Sequence, residues 1–369
     1  MLRILHIGEA GADGAPGVHS AEVIRFLRAS GQQVTVWPSP VRAHHPLARL
    51  KQSLRQMPEL RKRARQHHLV YARESWLNPF QAMALKGTGV ALAVEVNGLL
   101  LDDLLRDGAR AHTMALSRWC QGYLLRSASV VFVSCSAWAR QLQRSYRLKA
   151  VQVIRNGVDL ARFQPDQDSS WRELAGFDKS HVVLGFLGGL NRYHDFSPLL
   201  PALVEARKSY PQIRLLVGGS GPGLATLQAN VRSSQLDDMT YFAGAVSHHQ
   251  VPDFISAFDL ALLPVSGYRL EQCQGVAHAM KVAEYCGLGK PILKADFVGS
   301  ETFAEMENFS WSYQQNPVEP LMSALRERQL WKERGEAARR FAEQELGWDR
   351  AIAKIVASCE QILTTERRP

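Results

Sequence analysis

Met280-Lys281-Val282-Ala283-Glu284-Tyr285-Cys286-Gly287-Leu288-Gly289-Lys290-Pro291-Ile292-Leu293 reads as a short helix, a Gly-Leu-Gly-Lys-Pro turn and a buried strand beginning at Pro291. Lys281 and Glu284 are three apart, so they share one face of that helix at its first turns. A helix N-terminus attracts phosphate through its free N–H groups and its dipole, and Lys281 adds a full positive charge. Glu284 beside it suits a pair of sugar hydroxyls. A phosphate binder next to a diol binder describes a nucleotide or nucleotide-sugar site. The same two residues also make an ordinary i, i+3 surface ion pair, and the helix alone does not separate the two readings.

Lys-x-x-Glu-Tyr followed by Gly-Lys-Pro and an apolar strand resembles the donor-site segment of family-4 glycosyltransferases. The resemblance implies an α/β protein of the GT-B fold: two Rossmann-like, doubly wound parallel-sheet domains facing across a cleft. Members often carry two glutamates in this segment, the first near the transferred sugar and the second near the ribose. Val276 stands where the first would be, so a ribose contact carries over to Glu284 and a glutamate contact to the sugar does not.

Val151-Gln152-Val153-Ile154-Arg155-Asn156-Gly157-Val158-Asp159, running on to Phe163 and Pro165, closely resembles the interdomain segment of the same family, with Arg155 in place of a usual proline. Asn156-Gly157 predicts a tight turn with positive φ, and Pro165 ends the segment. The domains expected are 1–165 on the acceptor side, completed by a terminal helix within 346–369, and 166–345 on the nucleotide-sugar side.

With 369 residues, 46% of them hydrophobic and 21% charged, the chain suits two soluble domains with proper cores. It has no apolar run of the length that spans a bilayer. Met1-Leu2-Arg3-Ile4-Leu5-His6-Ile7-Gly8 reads as a first strand rather than a signal peptide, so the expected location is cytoplasmic, with peripheral attachment to the inner face of a membrane as an option. Five scattered cysteines form no zinc pattern and read as buried thiols. A net charge of +9 calls for a negative partner or surface, or reflects a basic proteome.

The opening strand, a Gly-rich loop at 9–17, a helix over 18–29 ended by Gly31 and a strand over 33–37 make a βαβ unit whose loop lies at the sheet's carboxyl edge. The glycine spacing does not fit a dinucleotide fingerprint. His19, just past the loop, is either a sugar or acceptor contact or a plain helix-start residue. Residues 42–68 carry eight Lys or Arg against the single acid Glu59, with Leu47, Leu50, Leu54, Met57 and Leu60 at helical spacing, and the pattern predicts a basic amphipathic segment broken near Pro58. It suits an anionic membrane surface or a solvated helix covering the N-terminal sheet; the lack of aromatic residues argues against nucleic acid.

Strands over 69–73 and 90–98 bring Arg73, Glu95 and Asn97 to the same edge. In the family a histidine often occupies the slot of Asn97, and asparagine can hydrogen-bond a hydroxyl but cannot act as a base near neutral pH. The resemblance makes His19, Arg73, Glu95 and Asn97 acceptor-side candidates; an Arg73–Glu95 pair bracing the strand ends is the plainer alternative. Ser134-Cys135-Ser136 predicts a hydroxyl cap on a helix over 137–145. In the second half the resemblance implies diphosphate stabilisation by Lys281 and Arg192, the catalytic pair. It implies donor contacts at Glu284, Gly189, His194, Gly244, Val246, Gly275 and Val276.

The resemblance implies a retaining transferase moving a sugar from a UDP- or GDP-linked donor to a glycan or lipid-linked acceptor in cell-surface polysaccharide or glycolipid synthesis. No metal is required, since cationic residues take its role and no Asp-x-Asp stands at a strand end. Val276 and Asn97 also fit a non-catalytic GT-B assembly protein at a membrane surface. A nucleotide-sugar epimerase is a third reading.

Overall fold

The first strand, Arg3–Gly8 (β1), is buried at every residue but its first. Leu5 and Ile7 pack into one apolar cluster and Ile4 into another, because alternate strand residues face opposite sides of a sheet. An apolar residue at nearly every position therefore demands helices on both faces, which is the arrangement of a parallel sheet. The computed structural model describes residues 1–8, 15–38, 46–74, 79–106, 108–148, 150–165, 167–191, 193–265, 280–296 and 304–366.

The chain divides into two units, Met1–Arg155 with Trp348–Pro369, and Asn156–Gly347. In the first, β1, Gln33–Pro38 (β2), Leu69–Arg73 (β3), Ala91–Val96 (β4), Val130–Val133 (β5) and Val151–Val153 (β6) form one parallel sheet in the order β2-β1-β3-β4-β5-β6. The order reverses between β1 and β3, and ligands of such sheets bind beyond the carboxyl ends at that switch. The helices are Ala15–Ala29 (α1), Pro46–Ala64 (α2), Pro79–Leu85 (α3), Leu100–Arg106 (α4), Ala111–Ser127 (α5) and Ser136–Tyr146 (α6). Gly31 closes α1 at φ +83, with its N–H on the Arg28 carbonyl and that of Gln32 on Leu27.

Two local expectations are corrected here. The helix α2 runs through Pro58 instead of breaking there. Pro58 costs one backbone bond, but Leu60 and Ala64 beyond it are buried in the core and the helix packs along α3, so tertiary contact holds the second half. At the start of α6 the N-cap is Cys135, which makes no side-chain capping bond, and Ser136 is already helical.

The second unit holds Val182–Leu187 (β7), Ile213–Gly218 (β8), Thr240–Gly244 (β9), Leu260–Leu263 (β10), Ile292–Ala295 (β11) and Ser310–Tyr313 (β12), parallel and in the order β12-β11-β10-β7-β8-β9. Its switch lies between β7 and β10. The helices are Ser170–Leu174 (α7), Leu199–Ser209 (α8), Leu224–Ser233 (α9), Val251–Ser256 (α10), Met280–Gly287 (α11), Val318–Arg326 (α12) and Trp331–Phe341 (α13). One continuous apolar cluster spans the unit.

The segment around Asn156-Gly157 is held differently from the expected turn. Gly157 is not among the residues with positive φ. Instead the Asp159 carboxylate accepts from the N–H groups of Ala161 and Arg162, and Val158 donates to the Leu346 carbonyl at 2.7 Å. Arg339 then ties the region down by donating to the carbonyls of Phe163 and Gly287. The chain returns to the first unit as the helix Trp348–Glu366 (α14), whose Trp348, Ile352 and Ile355 join the cluster beneath α1.

Candidate active site

In α11 the residues Val282, Ala283, Tyr285 and Cys286 are buried, which leaves Lys281 and Glu284 half-exposed on the remaining face. The helix is seated by Tyr285, whose hydroxyl accepts the N–H of Leu187 at 3.1 Å and so fixes α11 to the carboxyl end of β7. Burial raises the Tyr285 pKa far above the phenol range, and the Leu187 bond opposes that only in part. At pH 7 the group is a neutral hydroxyl.

The Lys281 ammonium lies 4.5 Å from the centre of the Phe186 ring and 2.7 Å from His194 Nε2. On the far side of the imidazole, Nδ1 is 2.7 Å from the Gly189 carbonyl oxygen. A carbonyl only accepts, so Nδ1 carries the proton and Nε2 presents a lone pair to Lys281. His194 is thereby a neutral support that aims the lysine, and Lys281 carries the positive charge. Gly188 has φ +156, and a side chain there would begin 2.4 Å from the Lys281 nitrogen. The positive φ favours glycine at this point of the loop after β7, and the ammonium lies directly above it.

That loop is fastened to its neighbours at the same edge. Gly188 donates to the Gly218 carbonyl at 3.1 Å, Leu190 to Ser220 at 2.8 Å, and Gly219 to Gly244 at 2.6 Å. Gly219 has φ +129, and a Cβ there would fall 1.9 Å from the Gly188 oxygen. The ends of β7, β8 and β9 thus form a shelf of backbone, with Gly189 exposed and Val246 half-buried against the core. Beside the switch, Asp195 donates its N–H to the Pro264 carbonyl at 2.9 Å. Arg192, Gly275 and Val276 lie outside the described residues.

A buried lysine with a half-buried carboxylate partner at the end of β11 was not foreseen. Lys294, 4% exposed, donates to Asp296 at 2.6 Å. A lysine inside the apolar run Pro291-Ile292-Leu293-Lys294-Ala295 was the available signal, because lysine is almost never fully buried unless paired.

In the first unit the acceptor-side candidates come together around one carboxylate. Glu95, 8% exposed, lies 2.5 Å from Nε2 of His19, itself 3% exposed. Burial alone would raise the Glu95 pKa, but the charge and hydrogen bond of His19, with Arg73 and Asn97, drive it far below the carboxylate range. Arg73 stands directly across from Glu95 in the β3–β4 register. His19 from α1 bonds Glu95 and in turn meets Trp348 edge-on at 5.2 Å.

His6, which sequence reasoning missed, completes the cluster. It stacks on Tyr71 at 5.6 Å and is pushed down to about 4 by burial, against the pull of Glu95. Among the described residues Nδ1 of His6 and Oγ of Ser20 on α1 are buried there without a hydrogen-bond partner, and Tyr71 and Asn97 lie against the Glu95 carboxylate.

Comparison with known proteins fits this geometry. Residues 10–157 match the family described as "Glycosyl transferase 4-like domain", and residues 167–341 that described as "Glycosyl transferases group 1". Among curated relatives, the D-inositol 3-phosphate glycosyltransferase of Segniliparus rotundus is 30% identical over 109 residues, covering 28% of this chain and 24% of the relative. The alpha-D-kanosaminyltransferase of Streptomyces kanamyceticus is 23% identical over 157 residues, covering 41% and 40%. The matched stretches thus span less than half of these relatives. Among solved structures, sucrose-phosphate synthase from Thermosynechococcus elongatus superposes with a TM-score of 0.79 at 14% identity, covering 99% of this chain and 100% of that one. Anabaena HepE in complex with UDP and glucose gives 0.70 at 16%, covering 98% and 100%. At these identities the structural likeness establishes the fold.

Proposed function

The chain belongs to the family-4 glycosyltransferases of GT-B fold, and from that premise we propose that it transfers a sugar, with retention, from a UDP-linked donor to a hydroxyl. The observation that carries the proposal is Lys281, held over Gly188 by a neutral His194 at the switch point of the second sheet, with Glu284 one turn further on. Lys281 and the N–H groups at the start of α11 receive the diphosphate, and Glu284 accepts from the ribose hydroxyls. Arg192 supplies a second cation. The shelf at Gly189, Gly244 and Val246 borders the base, and Gly275 and Val276 border the sugar.

As the bond from the anomeric carbon to the diphosphate breaks, negative charge grows on the departing oxygen, and Lys281 stabilises it more in the transition state than in the bound donor. The acceptor oxygen bonds to the anomeric carbon on the same face, and its proton passes to the departing phosphate oxygen. No protein nucleophile and no divalent ion are needed for that sequence. The acceptor is a glycan or lipid-linked glycan of a cell-surface polysaccharide or glycolipid, bound along Arg73, Glu95 and Asn97, with His19 holding Glu95 in place. The enzyme works at the inner face of a membrane, to which the basic helix α2 contributes charge.

UDP is favoured over GDP because HepE, a neighbour in fold, is seen with UDP and UDP-glucose. Thermal unfolding in the presence of UDP, GDP or ADP tests this. A ligand at about 100 times its Kd stabilises the native state by about 2.7 kcal/mol, so UDP should raise Tm by several degrees. A rise with GDP or ADP alone would reassign the base, and no rise with any of the three would overturn the donor site.

A further inference from the structure

The helix α5 is amphipathic in the wrong sense for a helix whose outer side meets only water. Ser117, Cys120, Gln121, Leu124 and Leu125 face inward. His112, Leu116, Trp119, Tyr123 and Arg126 fall at spacings of four, three, four and three, which is a single line along a helix. That line carries large apolar side chains into solvent: Leu116 is 53% exposed and Trp119 51%, and the Trp119 ring stacks on Tyr123 at 5.9 Å. Leu105 of the neighbouring α4, 55% exposed, adds to the patch. A cavity of about 260 Å³ opens beside Leu105 between α4, α5 and α6, with Leu99, Met114 and Leu142 in its lining and Arg118 on its wall.

Beyond α4, whose Asp102 lines the cavity, the charge around this patch has one sign. From Gly108 to Val158 the chain carries no Asp or Glu. Arg118 and Arg126 on α5 and Arg140 and Arg144 on α6 are exposed. The basic helix α2 packs on α3, as does α5, so its exposed Lys51, Arg55 and Lys62 belong to the same side of the sheet. On α2 itself Leu60 and Ala64 turn inward while Leu54 is 47% exposed, and Arg61 is engaged by the carbonyls of Ala84 and Lys86.

We propose that α4, α5 and α6 form a docking face for an anionic lipid bilayer, with Leu105, Leu116 and Trp119 entering the headgroup boundary and the arginines meeting lipid phosphates. An apolar strip flanked by arginine and carrying Trp and Tyr is the composition of an interfacial helix, and each basic residue near such a surface adds attraction. A second copy of this chain fits poorly, because a symmetric contact would bring the same arginines face to face. A single-stranded nucleic acid would stack on Trp119 but gains nothing from Leu105 and Leu116. The inference deepens the peripheral placement proposed above and stands independently of the donor site.

The test is co-sedimentation of the full chain with phosphatidylcholine vesicles lacking or containing phosphatidylglycerol, for the wild type and for Leu116→Ser combined with Trp119→Ser. The wild type should sediment with the anionic vesicles, and the double variant should partition about tenfold less, with UDP stabilisation unchanged in both. In parallel, brominated lipid should quench part of the tryptophan emission of the wild type, and Trp119→Phe should lose that quenching while still binding. No sedimentation of the wild type, equal sedimentation of the double variant, or quenching that survives Trp119→Phe overturns the proposal. So does retention of poly(U) by the wild type that is lost in the double variant while vesicle binding is untouched. Vesicle binding without UDP stabilisation would instead leave the docking face standing and remove the donor site.

Discussion

His194 illustrates how one hydrogen bond decides a residue's part in a site. Its spacing from the β7 loop invites the reading of a second cation, but the carbonyl of Gly189 fixes the proton on Nδ1 and turns Nε2 into an acceptor for Lys281. His6 poses the complementary case, a base whose folded-state pKa of about 4 lies below the ordinary 6.5 because burial penalises its charge. Between those values the unfolded chain binds the proton and the folded chain does not. The stability tied to His6 is thus complete above about pH 6.5 and is lost as the pH falls towards 4, a total on the order of 3 kcal/mol. His6→Phe, which keeps a ring against Tyr71, should flatten that stretch of the curve. Urea midpoints at pH 4.5, 5.5 and 7 check it, and an unaltered slope would mean that other groups titrate there. Neither role was legible in sequence, because each depends on which atom of the ring faces a carbonyl or an apolar wall.

At the level of elements, α11 is useful because of where Tyr285 pins it. The hydroxyl accepts a backbone N–H at the end of β7, so the face bearing Lys281 and Glu284 is referenced to the glycine shelf. Tyr285→Phe would leave the Leu187 N–H buried without a partner, at a cost of about 1–3 kcal/mol. The expected result is a lower Tm together with weaker UDP binding. A drop in Tm with UDP affinity intact would show that the bond serves stability alone.

Strands and most helices were legible because apolar period and Gly or Pro punctuation are local signals, as at Gly31. What misled were places where distant contacts override a local rule. Leu60 and Ala64 carry α2 through Pro58, and Asp159 with the Leu346 carbonyl holds a segment that Asn156-Gly157 suggested would turn at positive φ. The line of Leu116, Trp119 and Tyr123 was present in the sequence all along, but helical spacing cannot say which side of a helix the neighbouring elements leave uncovered.

For the molecule as a whole, two parallel sheets each reverse their strand order, the point beyond whose carboxyl ends such sheets bind ligands. The second gathers a cation, a carboxylate and backbone donors; the first gathers Glu95, His19, Arg73 and Asn97 about a buried negative charge. The doubly wound architecture and the family resemblance were readable from 151–165 and 280–293, whereas the identity of donor and acceptor depends on side chains converging from distant strands. The central claim is that Lys281 at the start of α11 holds the diphosphate. Calorimetric titration of UDP into the wild type and Lys281→Ala tests it most directly. The expected result is binding to the wild type and an affinity at least tenfold lower for the variant, about 1.4 kcal/mol or more. Equal affinities for the two proteins would contradict it.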